Sequence, residues 1–177
     1  RTGVLSSMQL TSQFPSTIVE NCDVKTRNAI EDGRTRAPFG FVIPVHRDMT
    51  RAAELVRILR LQGIEVGQAT GEFKLGDATY PAGSYVIKRD QPYGRLAKNL
   101  LEKQVYPDTR ITTYDDSGWT MGLLMAVGLK EIADAGVWKV PSTPVAKWTV
   151  QGEVAGGGGA GRAVAQYGPR DRTAARP

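Results

Sequence analysis

The sequence holds one cysteine, Cys22, and one histidine, His46, among 177 residues. A single thiol cannot close an internal disulfide and leaves no cysteine-rich zinc site. A single imidazole excludes, within this chain, both the H-E-x-x-H helix and any zinc centre built on a histidine pair. Long apolar runs are missing as well: the uncharged run Trp119–Leu129 falls short of the roughly 20 residues that span a bilayer. No membrane partner is therefore expected, and no charged-then-apolar leader opens the sequence.

The charge is formally +5, but the excess is not spread over the chain. Residues 162–177 hold four arginines and one aspartate, and without them 19 basic residues face 17 acidic ones, a net of +2. A tail of the type "GPRDRTAARP" is more typical of disorder than of nucleic-acid reading, so no nucleic-acid partner is expected. With 41% hydrophobic and 23% charged residues the composition is that of a globular protein, and the length suits one domain with a real core, or a domain plus fragments of its neighbours.

Along the chain, residues 3–33 carry helical spacing broken once at Pro15, with Ile18, Val19, Cys22, Ala29 and Ile30 near one face and Gly33 as the stop. "FGFVIP" then suits a buried strand. Asp48 can hold the start of a helix running to about Gln62, with Ala52, Leu55, Val56 and Leu59 on its apolar stripe and Gly63 as terminator. "IEVGQAT" reads as a second strand, so residues 39–70 form a strand–helix–strand unit of the size of a parallel crossover. Residues 73–92 predict a short hairpin entering the sheet, with turns at Gly76-Asp77 and Pro81-Ala82-Gly83 and a strand at "SYVIK". A helix opens at Pro92, another follows Trp119 as far as Gly136, and Pro141 and Pro144 predict an extended linker or edge strand. The expected fold is α/β, a small and mainly parallel sheet with flanking helices and one hairpin.

Three places invite a chemical reading. Gly156, Gly158 and Gly161 match G-x-G-x-x-G, but the 16 residues after Gly161 leave no room for the helix, strand and acid that a dinucleotide site requires. That run reads as a flexible linker, which places the end of the domain near residue 150. His46 and Arg47 follow the end of the first strand, where α/β domains bind ligands, yet neither a nucleophile nor a metal shell stands nearby. Asp115 and Asp116 could form an acid pair only if both carboxyls turned into one pocket. Helix capping by either Asp, or by Ser117, needs no partner from elsewhere and is the favoured reading. Cys22 has no neighbour that would lower its pKa and reads as a small core residue.

Longer stretches carry a resemblance. "YPAGSYVIKRDQPYGRLAKNLLEKQVYPD" (80–108) and "YDDSGWTMGLLMAVG" (114–128) resemble the region after the catalytic domain of large bacterial zinc carboxypeptidases of the carboxypeptidase A class. The motifs are the Pro81–Ser84 turn, the helix start Gln91, Pro92 and Tyr93, the Gln104–Asp108 helix end, and Tyr114, Asp115, Asp116, Gly118 and Trp119 leading into an apolar helix. "APFGFVIP" (37–44) and "AAELVRILRLQGIEV" (52–66) fit too, so the likeness covers about residues 1–154. It implies that 1–33 end a preceding peptidase-like domain, that 34–150 are an α/β accessory domain, and that 148–167 enter a following amidotransferase-like domain; the Gly- and Arg-rich end departs from that pattern, so 151–177 read as a flexible tail or the truncated start of that following domain. It implies zinc in the parent's catalytic domain and none in this chain, which lacks the family's H-x-x-E pair, later His and general-base Glu. The implied role is non-catalytic packing against that catalytic domain, and a secreted or periplasmic parent is one option. An alternative is a stand-alone module in which His46 and Arg47 bind an anion, and a nucleic-acid binder comes third.

Overall fold

The computed structural model describes residues 2–105, 108, 110 and 119–145, together with the backbone of 148–153 and 162–167. Two helices come first, α1 (Thr2–Gln13) and α2 (Pro15–Thr35). Pro15 opens α2, where its missing N–H is not needed. Gly33 is not the stop assigned to it: α2 runs on to Thr35 and ends where Arg36 turns extended. The first half of α2 buries nothing, and Cys22 is exposed rather than in the core. Burial begins at Ala29 and Gly33, where the helix docks on the rest of the chain.

A five-stranded sheet follows. Its strands are β1 (Gly40–Ile43), β2 (Gly67–Ala69), β5 (Tyr85–Lys88), β6 (Lys130–Ile132) and β7 (Ser142–Pro144), in the order β6-β1-β5-β2-β7. The expectation of a mainly parallel sheet is wrong, because every pairing in it is antiparallel. The strand–helix–strand unit itself exists: α3 (Thr50–Leu61) links β1 to β2, and both run antiparallel to β5. But β5 lies between them, so the two halves of the crossover never pair. The continuous apolar runs of β1 and β5 look like those of parallel strands for a different reason, which is burial on both faces. Phe41 and Ile43 pair with Ile87 and Tyr85 and face α3 and α4 (Gly94–Leu101), while Val42 and Val86 pair on the opposite face.

That opposite face is covered by a hairpin of its own, β3 (Phe73–Leu75) and β4 (Ala78–Tyr80), and by a 3₁₀ helix at Ala135–Lys139. The expected turn at Gly76-Asp77 is present, with Gly76 at φ +57°. Yet the hairpin forms a separate two-stranded sheet packed on the main one through Leu75 and Tyr80, and only β5 enters the main sheet. The helix expected from Trp119 to Gly136 is also much shorter. It covers only α5 (Met121–Leu124), after which Ala126 takes φ +53° and the chain pairs β6 with β1. A Cβ on Gly122 would lie 2.9 Å from the Leu129 Cβ, so this reversal is tightly packed. A further two-stranded ribbon, β8 (Trp148–Glu153) and β9 (Arg162–Tyr167), lies near the C-terminus.

Candidate functional site

Among the described residues the buried polar side chains, Ser84, Arg89 and Gln91, lie on or beside β5. In continued register, Glu65 would stand opposite Lys88, since Gly67 pairs with Val86. That pair does not form, and Gln91 takes the place of the rung. Its amide nitrogen donates to the Glu65 carbonyl at 3.0 Å and to the Lys88 carbonyl at 2.5 Å, and its oxygen accepts from the Glu65 N–H at 2.6 Å. A buried amide with three such bonds is satisfied, and it closes the gap where the ladder stops. Next along, Tyr93 lays its ring over Gly63. A Cβ on that glycine, which sits at φ +80° ending α3, would be 2.9 Å from the ring.

Arg89 is 1% exposed. Its guanidinium donates to the Asp32 carboxylate on α2 at 2.7 Å and to the backbone carbonyls of Arg36 at 3.0 Å and Pro38 at 2.7 Å. Burying such a charge is tolerable only with a partner and hydrogen bonds, and three acceptors supply them. The backbone carbonyl of the same residue is gripped by two glycines. A Cβ on Gly33 would lie 2.1 Å from it and one on Gly94 2.0 Å, so α2 and α4 both approach at distances only glycine permits.

Two further polar ties complete the frame. Ser84 donates to the Pro81 carbonyl at 2.7 Å and accepts from the Val45 N–H at 3.2 Å, fixing the Pro81–Ser84 turn under the loop after β1. Asp134 accepts from the N–H of Gly136 at 2.7 Å, at the start of the 3₁₀ helix, and from the N–H of Gly76 at 2.9 Å, in the hairpin turn. These two bonds, the one from Gly136 first, hold its carboxyl below the usual range.

His46 and Arg47 are exposed in the loop between β1 and α3. A cleft of about 510 Å³ lies elsewhere, between the end of α3, the segment leading into β2, and β7. Neither His46 nor Arg47 lines it, whereas Gln91, Lys88 and Ser142 do. Lys88 already donates to the carbonyls of Trp138 and Val140 at 3.0 and 3.1 Å. Tyr114, Asp115, Asp116 and Gly118 lie outside the described residues, so neither the acid pair nor the cap is placed. Trp119 is half-buried, and Thr120 beside it is held at φ +49° by bonds to the Glu102 carbonyl and from the Gln104 N–H.

Sequence reasoning found the Gln91-Pro92-Tyr93 and Pro81–Ser84 motifs but missed Asp32, Arg89 and Asp134. A glycine inside a helical stretch, at Gly33, was the one local sign that something packs closely there. Among the described residues no three His, Cys, Asp or Glu side chains group as a metal site, and no helix is long and apolar enough to cross a membrane. Compared with family models, curated proteins and solved structures, the chain matches none.

Proposed function

We propose that this chain is a non-catalytic accessory unit of a zinc metallocarboxypeptidase-like protein, a scaffold that packs beside the parent's catalytic domain. One observation carries the reading: the buried polar side chains Ser84, Arg89 and Gln91 bind the chain's own backbone and Asp32, so each is engaged in holding the fold. An active site requires polar groups that converge on a space a substrate can occupy. The motifs behind the resemblance, Pro81–Ser84 and Gln91–Tyr93, are turn and strand-end devices, which fits a framework role. The exposed position of His46 and Arg47, away from the cleft, counts against the alternative of an anion-binding module.

The test is a peptide-release assay on the purified chain. No C-terminal amino acid is expected to appear above the blank, with or without added zinc. Release that scales with protein concentration and is abolished by a chelator would overturn the proposal.

A further inference from the structure

The cleft of about 510 Å³ at the end of α3 lies within the roughly 300–1,000 Å³ that small-molecule sites occupy. One wall is apolar, formed by Ile64, Val66, Val86 and Val145, each no more than 7% exposed. Two charges of each sign also line it, Arg60 and Lys88 against Glu65 and Asp90. What separates them is engagement. Lys88 could have paired with Glu65 across the missing rung, but its ammonium goes to the Trp138 and Val140 carbonyls. Arg60 has a partner of its own. Among the described residues neither the Glu65 nor the Asp90 carboxylate accepts a hydrogen bond or joins an ion pair. Asp90 is half-buried, so it has given up water without gaining a donor in return. The Ser142 hydroxyl has no hydrogen-bond partner among those residues either, and it sits against Gly67. A Cβ on that glycine would lie 2.6 Å from the Ser142 Oγ, so only glycine leaves the hydroxyl its place.

We propose that this cleft binds an organic cation with an aliphatic stem, an alkylammonium or alkylguanidinium group. The unmet groups all accept hydrogen bonds, so the ligand has to bring donors, and two carboxylates favour donors that carry positive charge. The wall of valines and isoleucine takes the methylenes of the stem, as apolar surface takes the stem of a lysine or arginine. A carboxylate or phosphate would meet Glu65 and Asp90 as like charges while both lining cations are occupied. Such a cation can come from a free amine or from a basic side chain on another protein. The proposal stands apart from the accessory-domain reading, and the peptide-release assay does not bear on it.

Titration of the whole chain with pentylamine at low salt, followed by calorimetry and amide chemical-shift mapping, tests it. Saturable binding is expected, with shifts centred on Glu65, Val66, Asp90 and Ser142. Pentanoate, with a stem of similar length and the opposite charge, should not bind. Ethylamine should bind more weakly than pentylamine, since it leaves the apolar wall uncovered. Glu65→Gln and Asp90→Asn should each weaken pentylamine about tenfold, the worth of one charge-assisted hydrogen bond. Their melting temperatures should match the wild type, because neither carboxylate holds the fold. N-acetyl-lysine methylamide presents the same ammonium on a peptide-like backbone, so its rank against pentylamine tells a protein's basic side chain from a free amine. Absence of saturable binding by either cation, pentanoate binding as well as pentylamine, shifts centred outside the cleft, or two variants that bind like wild type each overturns the proposal.

Discussion

The Arg89 guanidinium and the Asp32 carboxylate meet at 2.7 Å across 57 residues of sequence, tying the end of β5 to α2. Arg89 is almost wholly buried and the Asp32 side chain mostly so. Removing one partner of such a pair leaves an uncompensated charge inside. Asp32→Ala should therefore lower the unfolding free energy by about 3 kcal/mol. Urea unfolding followed by far-UV circular dichroism measures this. An unchanged midpoint would mean that α2 is not anchored there.

Gly33 and Gly94 flank the carbonyl of the same arginine, and an added methyl at either site would overlap a backbone atom that cannot swing aside. Gly33→Ala and Gly94→Ala should each cost about 3 kcal/mol or more, at the upper end of overpacking effects. Gly71→Ala is the control, since a Cβ there meets nothing within 4 Å. Thermal melts of the three variants should show two large drops and one small change.

Gln91→Ala removes the amide that stands in for the missing rung and strands the N–H and C=O of Glu65. Glu65 is exposed, so water takes over part of what the amide supplied, and a loss of about 1 kcal/mol is expected. Hydrogen exchange at the Glu65 amide should accelerate more than exchange at amides in the centre of β1. Equal acceleration everywhere would show only global destabilisation.

Asp134 gives a dependence on pH. Its carboxyl is held below the ordinary value of 3.8 by the N–H groups of Gly136 and then Gly76. A folded pKa below the unfolded one contributes stability that is complete above the unfolded value and disappears as the pH falls through the folded value. Asp134→Asn should therefore be less stable than wild type at neutral pH, and the gap should narrow as the pH drops below about 4. Melting temperatures from pH 7 to pH 2.5 follow this. A gap independent of pH would mean that the carboxylate's charge is not what holds the two turns.

The legible parts of the fold were local. The i, i+3, i+4 spacing of Ala52, Leu55, Val56 and Leu59 located α3, and Gly63 its end. Gly76-Asp77 located a hairpin turn. Strand direction was not legible. A strand–helix–strand pattern looks the same whether its strands are neighbours or are split by a third, and only the packing of β5 decides. Residues 119–136 misled because an uncharged run suits a helix, while the positive φ of Ala126 leaves no mark in composition. In the site, Gln91 and Tyr93 stood out as a motif, but the acceptor that completes Arg89 is a side chain on α2, and no local spacing pairs them.

The central claim, a framework without its own zinc chemistry, is tested most directly by native mass spectrometry of the purified chain after equilibration with zinc. The predicted spectrum contains the metal-free chain. One tightly held zinc per chain, surviving buffer exchange, would contradict the claim.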